Sequence, residues 1–442
     1  MDEDEPLLRG AAPRDGDAPG AHGDASKRTA SSEGLVASFV PGILAGLTNT
    51  DIAAVVTYAS AGATFGLASV KFQIACLPFM VLFQLLAGRV GVHAQRGMMR
   101  VVRDLWGPAA AAAVFMVLCC LCVATLFCEM AGVVAIAEIA GVPKAAFIFL
   151  AAAGLLCSTW MKSNTLEYVL LALGGLLSLF VLLALLSVPS ARPDGLWKVF
   201  PRNAEFDELI SAATGGSLTP FLLFYQSSAA VHEGVTVAGL PKLRLNIWIG
   251  IILSVVASVS ITASAAFTLW AVDDETVTIS TVKDAAFLFS HELGAAGVVV
   301  FVLGTLGAAA TAALCSIQTF VWAFDEITSG VQLPRKQILV AGRHRALTLP
   351  ALQKGGCAIM IGVVSIGALC TSQQMQVKLT IMAQDFDSVV LPLFLFIGLK
   401  AARRILPKTE FSDLEYYVHC AAFTFASALA IAPLLFVFVL EV

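Results

Sequence analysis

The chain has 442 residues, 58% of them apolar and 13% charged, with a formal net charge of −4 at pH 7. Soluble domains carry about a quarter charged residues, so this composition excludes a water-covered globular protein of that length, and no nucleic-acid partner is expected. A bilayer crossing needs roughly 20 apolar residues, and the length is therefore counted in membrane spans.

Residues 1–32 are polar and rich in Gly, Ala, Asp and Pro, which predicts a disordered cytoplasmic tail ahead of a membrane domain over 33–442. The tail carries Glu3 four residues before Leu7-Leu8, a spacing similar to the adaptor-read sorting signals of endolysosomal proteins. The apolar run that begins near Leu35 is too long for the core of a cleavable signal.

Eleven segments follow, near 35–61, 66–88, 109–138, 144–160, 166–188, 206–232, 245–271, 294–324, 353–371, 376–398 and 417–440. With the N-terminus in the cytoplasm, sixteen Lys and Arg fall on inner loops (Arg89 to Lys408), against Lys144, Arg192, Lys198, Arg202 and Lys283 outside. That asymmetry satisfies the positive-inside rule. The membrane of residence is expected to be the plasma membrane or an endolysosomal or vacuolar membrane.

The count predicts an all-α membrane protein of two five-helix inverted repeats, over about 35–188 and 206–398, with an extra helix at about 417–440. Inverted-repeat transporters build their midplane site from broken helices, so the first and sixth segments should be interrupted at matching places. The first contains Thr48-Asn49-Thr50-Asp51 in an apolar run. The sixth contains Thr214-Gly215-Gly216-Ser217-Leu218-Thr219-Pro220, where Pro220 removes an amide donor and the glycines relax the backbone.

Ionisable side chains in mid-membrane are functional hypotheses by default. Asp51 lies at the first interruption. Glu129 lies in the third segment, far in sequence from any basic residue. The tenth segment carries Gln384, Asp385, Asp387 and Ser388, of which Gln384 and Ser388 share a helix face. Thr219 and the carbonyl of Gly216 add neutral oxygens. The set is oxygen-only, which suits Mg²⁺, Ca²⁺ or Mn²⁺ better than softer metals. Cys119, Cys120, Cys122 and Cys128 lack the paired spacing of a zinc site and read as small apolar fillers. No catalytic motif lies within the segments, so neither an enzyme nor a resident cofactor is expected.

Three stretches resemble one known family. They are Pro41-Gly42 through Asp51 to Gly66, Gln84-Leu85-Leu86-Ala87-Gly88-Arg89-Val90-Gly91, and Gly215 to Gln226. Together they look like the natural resistance-associated macrophage protein (NRAMP) family of divalent metal transporters, closest to its magnesium-associated branch. The resemblance implies a LeuT-like fold and alternating access. It also implies an ion site of Asp51, Glu129, Gly216, Thr219 and Gln384, with Ala54, Phe221, Asp385, Asp387 and Ser388 along the pathway or setting selectivity.

The departures from the family are chemical. Its Asp-Pro-Gly-Asn reads Asp51-Ile52-Ala53-Ala54 here, so the Asn ligand is Ala54. Its Met-Pro-His reads Thr219-Pro220-Phe221, so the metal-binding Met is Thr219 and the His tied to proton transport is Phe221. A thioether discriminates against Mg²⁺ and Ca²⁺, and its loss predicts a partly hydrated Mg²⁺ and/or Mn²⁺ substrate without proton coupling. The rival readings are a proton-coupled Mn²⁺/Fe²⁺ symporter, a sodium-coupled amino-acid carrier, and a membrane sensor or scaffold.

Overall fold

The computed structural model describes residues 40–161, 163–188, 204–269, 279, 281–329, 337–340, 343–346 and 348–440. The tail with Glu3, Leu7 and Leu8 lies outside the described residues.

The expected segments appear as helices in chain order. Segment 1 is split into α1 (Val40–Leu47) and α2 (Ile52–Phe65), with Thr48 to Asp51 between them. Segments 2 to 4 are α3 (Ala68–Ala94), α4 (Met98–Ile139) and α5 (Lys144–Ser158). Segment 5 is α6 (Ser163–Gly175) and α7 (Ser178–Ser187). Segment 6 is split into α8 (Ala204–Ser217) and α9 (Phe221–His232), interrupted at Leu218 to Pro220. Segments 7 to 11 are α10 (Leu240–Leu269), α11 (Val282–Thr328), α12 (Leu349–Cys370), α13 (Gln373–Ile405) and α14 (Asp413–Leu440). Between α11 and α12, β1 (Gln337–Val340) pairs antiparallel with β2 (Arg343–Ala346).

Both predicted interruptions are present where the sequence places them. Eight helices among the described residues are long and apolar enough to cross a bilayer. The short pieces are the halves of the broken segments and α5, which reach across only in combination or by packing on neighbours. Large apolar side chains cover the outside: Ile359, Val363 and Ile366 are exposed on α12 at spacings of four and three, one face of a helix. In water such a stripe would be an aggregation hazard, whereas in lipid it is the ordinary surface.

The repeat shows in a feature the sequence segments missed. Both α4 and α11 begin about ten residues before their apolar runs and turn sharply at a glycine, Gly107 (φ 85°) and Gly294 (φ 63°). These are segments 3 and 8, equivalent positions in two five-helix units, and each glycine takes a backbone conformation that an L side chain resists. The segment boundaries expected at 109 and 294 are therefore bends after leading helices, not helix starts.

Buried hydroxyls inside the apolar helices are satisfied locally. Ser258, Ser260, Ser264 and Thr268 of α10, and Thr305, Thr311 and Thr319 of α11, each donate to the carbonyl four residues earlier. These hydroxyls thereby keep a partner inside the hydrocarbon region.

Candidate metal site

Asp51 caps α2. Its backbone is extended (φ −90°, ψ 179°) and its Oδ1 accepts from the Ala54 amide at 2.6 Å. A helix start leaves amides without partners and a partial positive charge, which an Asp satisfies on both counts. The carboxylate is 7% exposed.

Glu129 reaches the same helix start from α4. Its Oε1 accepts from the Ile52 amide at 3.4 Å, while no protein donor reaches Oε2. Glu129 is fully buried. One turn on, Gly132 lets the two helices approach: a Cβ there would run into Ile52 Cδ1. Two carboxylates thus converge on one helix N-terminus, which is a built-in anion site and, once both acids are charged, a strong attractor for a cation.

A third acid, Asp387 of α13, is buried with Oδ1 unpartnered within the protein. No Lys or Arg among the described residues forms an ion pair with Asp51, Glu129 or Asp387. Among the described residues, no three acidic, His or Cys side chains close into a metal-binding cluster. The acids share a region without forming a compact ligand shell.

Gln384 faces the site from α13. Its Nε2 donates to Thr57 Oγ1 at 2.9 Å, and its Nε2 lies 3.9 Å from where a Cβ on Gly216 would stand. Gly216 is within α8, not in the unwound stretch, so the expected freed carbonyl is one of the last carbonyls of a helix. It is also engaged, accepting from Thr219 Oγ1 at 2.9 Å. Thr219 and Gly216 are therefore bonded to each other across the end of α8.

The other expected positions divide. Ala54 and Phe221 are buried and present only carbon. Ser388 is fully buried and donates to the Ser211 carbonyl at 3.2 Å, which ties α13 to α8. That bond fastens the two helices beside Gly215, where a Cβ would run into Ser388 Oγ. Asp385 is half-buried on α13 beside Gln384.

Sequence reasoning passed over Thr57, Tyr58 and Ser217. Tyr58 OH and Ser217 Oγ are 2.7 Å apart and join α2 to the end of α8, so the two broken helices are bonded to each other at the site. We expect Tyr58→Phe to lower stability by about 0.5–1.5 kcal/mol, read as a drop in melting temperature, with weaker ion binding because the halves lose their mutual register.

Two interrupted helices, bonded across their breaks and surrounding buried acids inside a lipid-facing shell, define a membrane transporter. The model of the natural resistance-associated macrophage protein-like family matches residues 42–436, and the chain belongs to that family. By sequence, no curated protein matches it. By structure it is similar to an Eremococcus coleocola manganese transporter solved with an aromatic bis-isothiourea compound, at TM-score 0.68 and 16% identity over 94% of this chain and 88% of that one. A mutant of the same transporter matches at TM-score 0.66 and 14% identity over 95% and 88%. Mhp1, a nucleobase-cation-symport-1 family transporter in a closed conformation, matches at TM-score 0.60 and 11% identity over 90% and 92%. The fold is the LeuT-like inverted repeat that the broken segments predicted.

Proposed function

We propose that the protein carries a divalent cation, Mg²⁺ and/or Mn²⁺, across a membrane by alternating access, with the ion partly hydrated and no proton moved in exchange. The observation that carries this reading is the convergence of Asp51 and Glu129 on the start of α2, with no sulfur or imidazole at positions 219 and 221, which are Thr219 and Phe221. Asp51 holds the ion directly or through water, and Glu129, Gln384, Thr219 and the Gly216 carbonyl surround it. Asp387 extends the negative region along the pathway.

The loose arrangement of the acids suits a hydrated ion, because Mg²⁺ surrenders water reluctantly and is commonly held through it. A thioether would favour softer metals, and none is present at these positions. With the N-terminus in the cytoplasm, an inward-negative potential drives entry. That force is about 2.3 kcal/mol per charge per 100 mV, doubled for a divalent ion, and it removes the need for a coupled proton.

The test is uptake into liposomes of Mg²⁺, Mn²⁺ and Ca²⁺ beside an internal pH dye. Uptake should rise with an inside-negative voltage and leave internal pH unchanged. Acidification that keeps step with metal entry would instead establish the proton-coupled symporter reading.

A further inference from the structure

The ends of α4 and α11 hold each other, and one further bond leaves that pair for the broken sixth segment. α4 starts at Gly97, which has no side chain to cap it. The cap comes instead from Glu326 in the last turn of α11, whose Oε2 accepts from the Met99 amide at 3.0 Å. Gly97 leaves room for this carboxylate, which a Cβ would overlap. In return, Arg103 of α4 donates to the Ile327 and Ser329 carbonyls where α11 ends, at 2.9 Å and 2.7 Å. Amides at one helix start and carbonyls at the other helix end are thus satisfied across the pair. At the far ends of the same helices, Lys283 of α11 pairs with Glu138 of α4 at 3.2 Å. The two helices run antiparallel and are fastened at both ends, which makes them a fixed post.

α9 leans on this post through one face. Tyr225, Ser228 and His232 recur at spacings of three and four, a single stripe of a helix. Trp322 of α11 reaches both rings of that stripe, with centroids 5.3 Å from Tyr225 and 4.8 Å from His232, the second pair stacked. Midway between them in sequence, Ser228 Oγ donates to Glu326 Oε1 at 2.5 Å. One carboxylate therefore binds the post with one oxygen and the sixth segment with the other.

The two bonds differ in what backs them. Met99 belongs to the fastened pair. α9 is a half-helix, released from α8 at Leu218 to Pro220 and followed by a turn at Gly234 (φ 65°). Rigid pieces swing at a few element-terminal residues that absorb the backbone change, and α9 has such residues at both ends. It can move away from the post without breaking its own helical hydrogen bonds.

We propose that Trp322 and Glu326 form a latch for α9, which holds the second half of the sixth segment shut against α4 and α11. The ion passes toward the side on which α1 and α4 begin only after Ser228 leaves Glu326 and the Trp322 stack parts. Glu326 is a positioning residue here and not an ion ligand. It keeps the Met99 amide when Ser228 departs, so the carboxylate stays aimed to receive α9 on its return. The inference rests on the reading of alternating access between the broken helices.

Two measurements test it. In the first, Ser228→Cys and Glu326→Cys are combined and the two thiols are joined by a short bis-methanethiosulfonate reagent. The unsubstituted protein, treated alike, controls for its own cysteines. Mg²⁺ uptake into liposomes should stop on bridging and return on reduction. In the second, hydrogen exchange is followed in the unsubstituted protein with and without Mg²⁺. Exchange over α9 should change when Mg²⁺ is added, while exchange over the fastened α11 stays constant. Ser228→Ala should raise exchange over α9 about tenfold, the value of one hydrogen bond to a charged group, and Ser228→Thr should restore it.

Full uptake by the bridged protein overturns the latch. So does exchange over α9 that ignores Mg²⁺, which makes the contact a static support. If the double variant is inactive before bridging, the exchange measurement on the unsubstituted protein decides. The ion-site reading fails separately: full uptake by Asp51→Asn removes that reading. Loss of uptake in Asp51→Asn, with bridging harmless, removes only the latch.

Discussion

Asp51→Asn is expected to reduce Mg²⁺ uptake by at least about tenfold while leaving the melting temperature equal or higher. The substitution separates two roles that the structure combines in one side chain. Asn caps a helix about as well as Asp, so the bond to the Ala54 amide survives. What disappears is a desolvated negative charge beside Glu129. A hydrogen bond or ligand contact involving a charged group is worth about 1.5–3 kcal/mol, or about ten- to a hundredfold in affinity. Removing a buried charge from the neighbourhood of two other acids relieves repulsion, which accounts for the equal or higher stability. Asp51→Ala should abolish uptake as well, and should also destabilise by about 1 kcal/mol through the lost cap. Paired melting and uptake measurements on the two variants decide the matter. Full uptake by Asp51→Asn would reduce Asp51 to a cap and remove the basis for the site.

The features legible in the sequence are those with a local chemical signal. Thr48 to Asp51 and Leu218 to Pro220 interrupt apolar helices with hydroxyls, an amide, an acid and a proline, and each break falls where those residues stand. The break between α6 and α7 at Leu176 and Leu177 follows Gly174-Gly175, a glycine pair like that of the sixth segment, but no acid or proline marks it. There the chain is shaped by packing: a Cβ on Gly307 of α11 would meet Leu176 Cβ at 2.6 Å, and one on Gly174 would meet Leu47 Cδ1 at 2.7 Å. Side-chain partners were also out of reach. Tyr58 and Ser217 are 159 residues apart, and Thr57 and Gln384 are 327 apart, so no periodicity connects them. The leading helix before Gly107 carries Arg100 and Arg103, charges that mark a loop when spans are sought. In the structure Arg103 donates to the Ile327 and Ser329 carbonyls at the end of α11, so those charges fasten one element to another.

Thr219→Met should shift selectivity from Mg²⁺ toward Mn²⁺ and admit Cd²⁺, with the uptake ratio of Mn²⁺ to Mg²⁺ rising about tenfold. The change acts twice at one position. It introduces a thioether, whose softness favours transition metals over hard cations. It also removes the hydroxyl that donates to Gly216, freeing that carbonyl to face the ion. Space is the counterweight: Thr219 is 5% exposed and borders a cavity of only about 20 Å³, against the apolar side chains of Leu222 and Leu223. Methionine is flexible enough to adapt to irregular gaps, but overpacking still costs about 1–3 kcal/mol, so total uptake should fall even as the ratio rises. Ala54→Asn alone adds an amide ligand and no sulfur, and should strengthen binding of all three ions without reordering them. In the double variant the two ligands contact the same ion, and their effects should depart from additivity, as neighbouring sites do. A Thr219→Met protein that folds, transports and keeps the original order of ions would show that selectivity is set by the hydration shell and the acids alone, with the sixth-segment side chain playing no part in the choice.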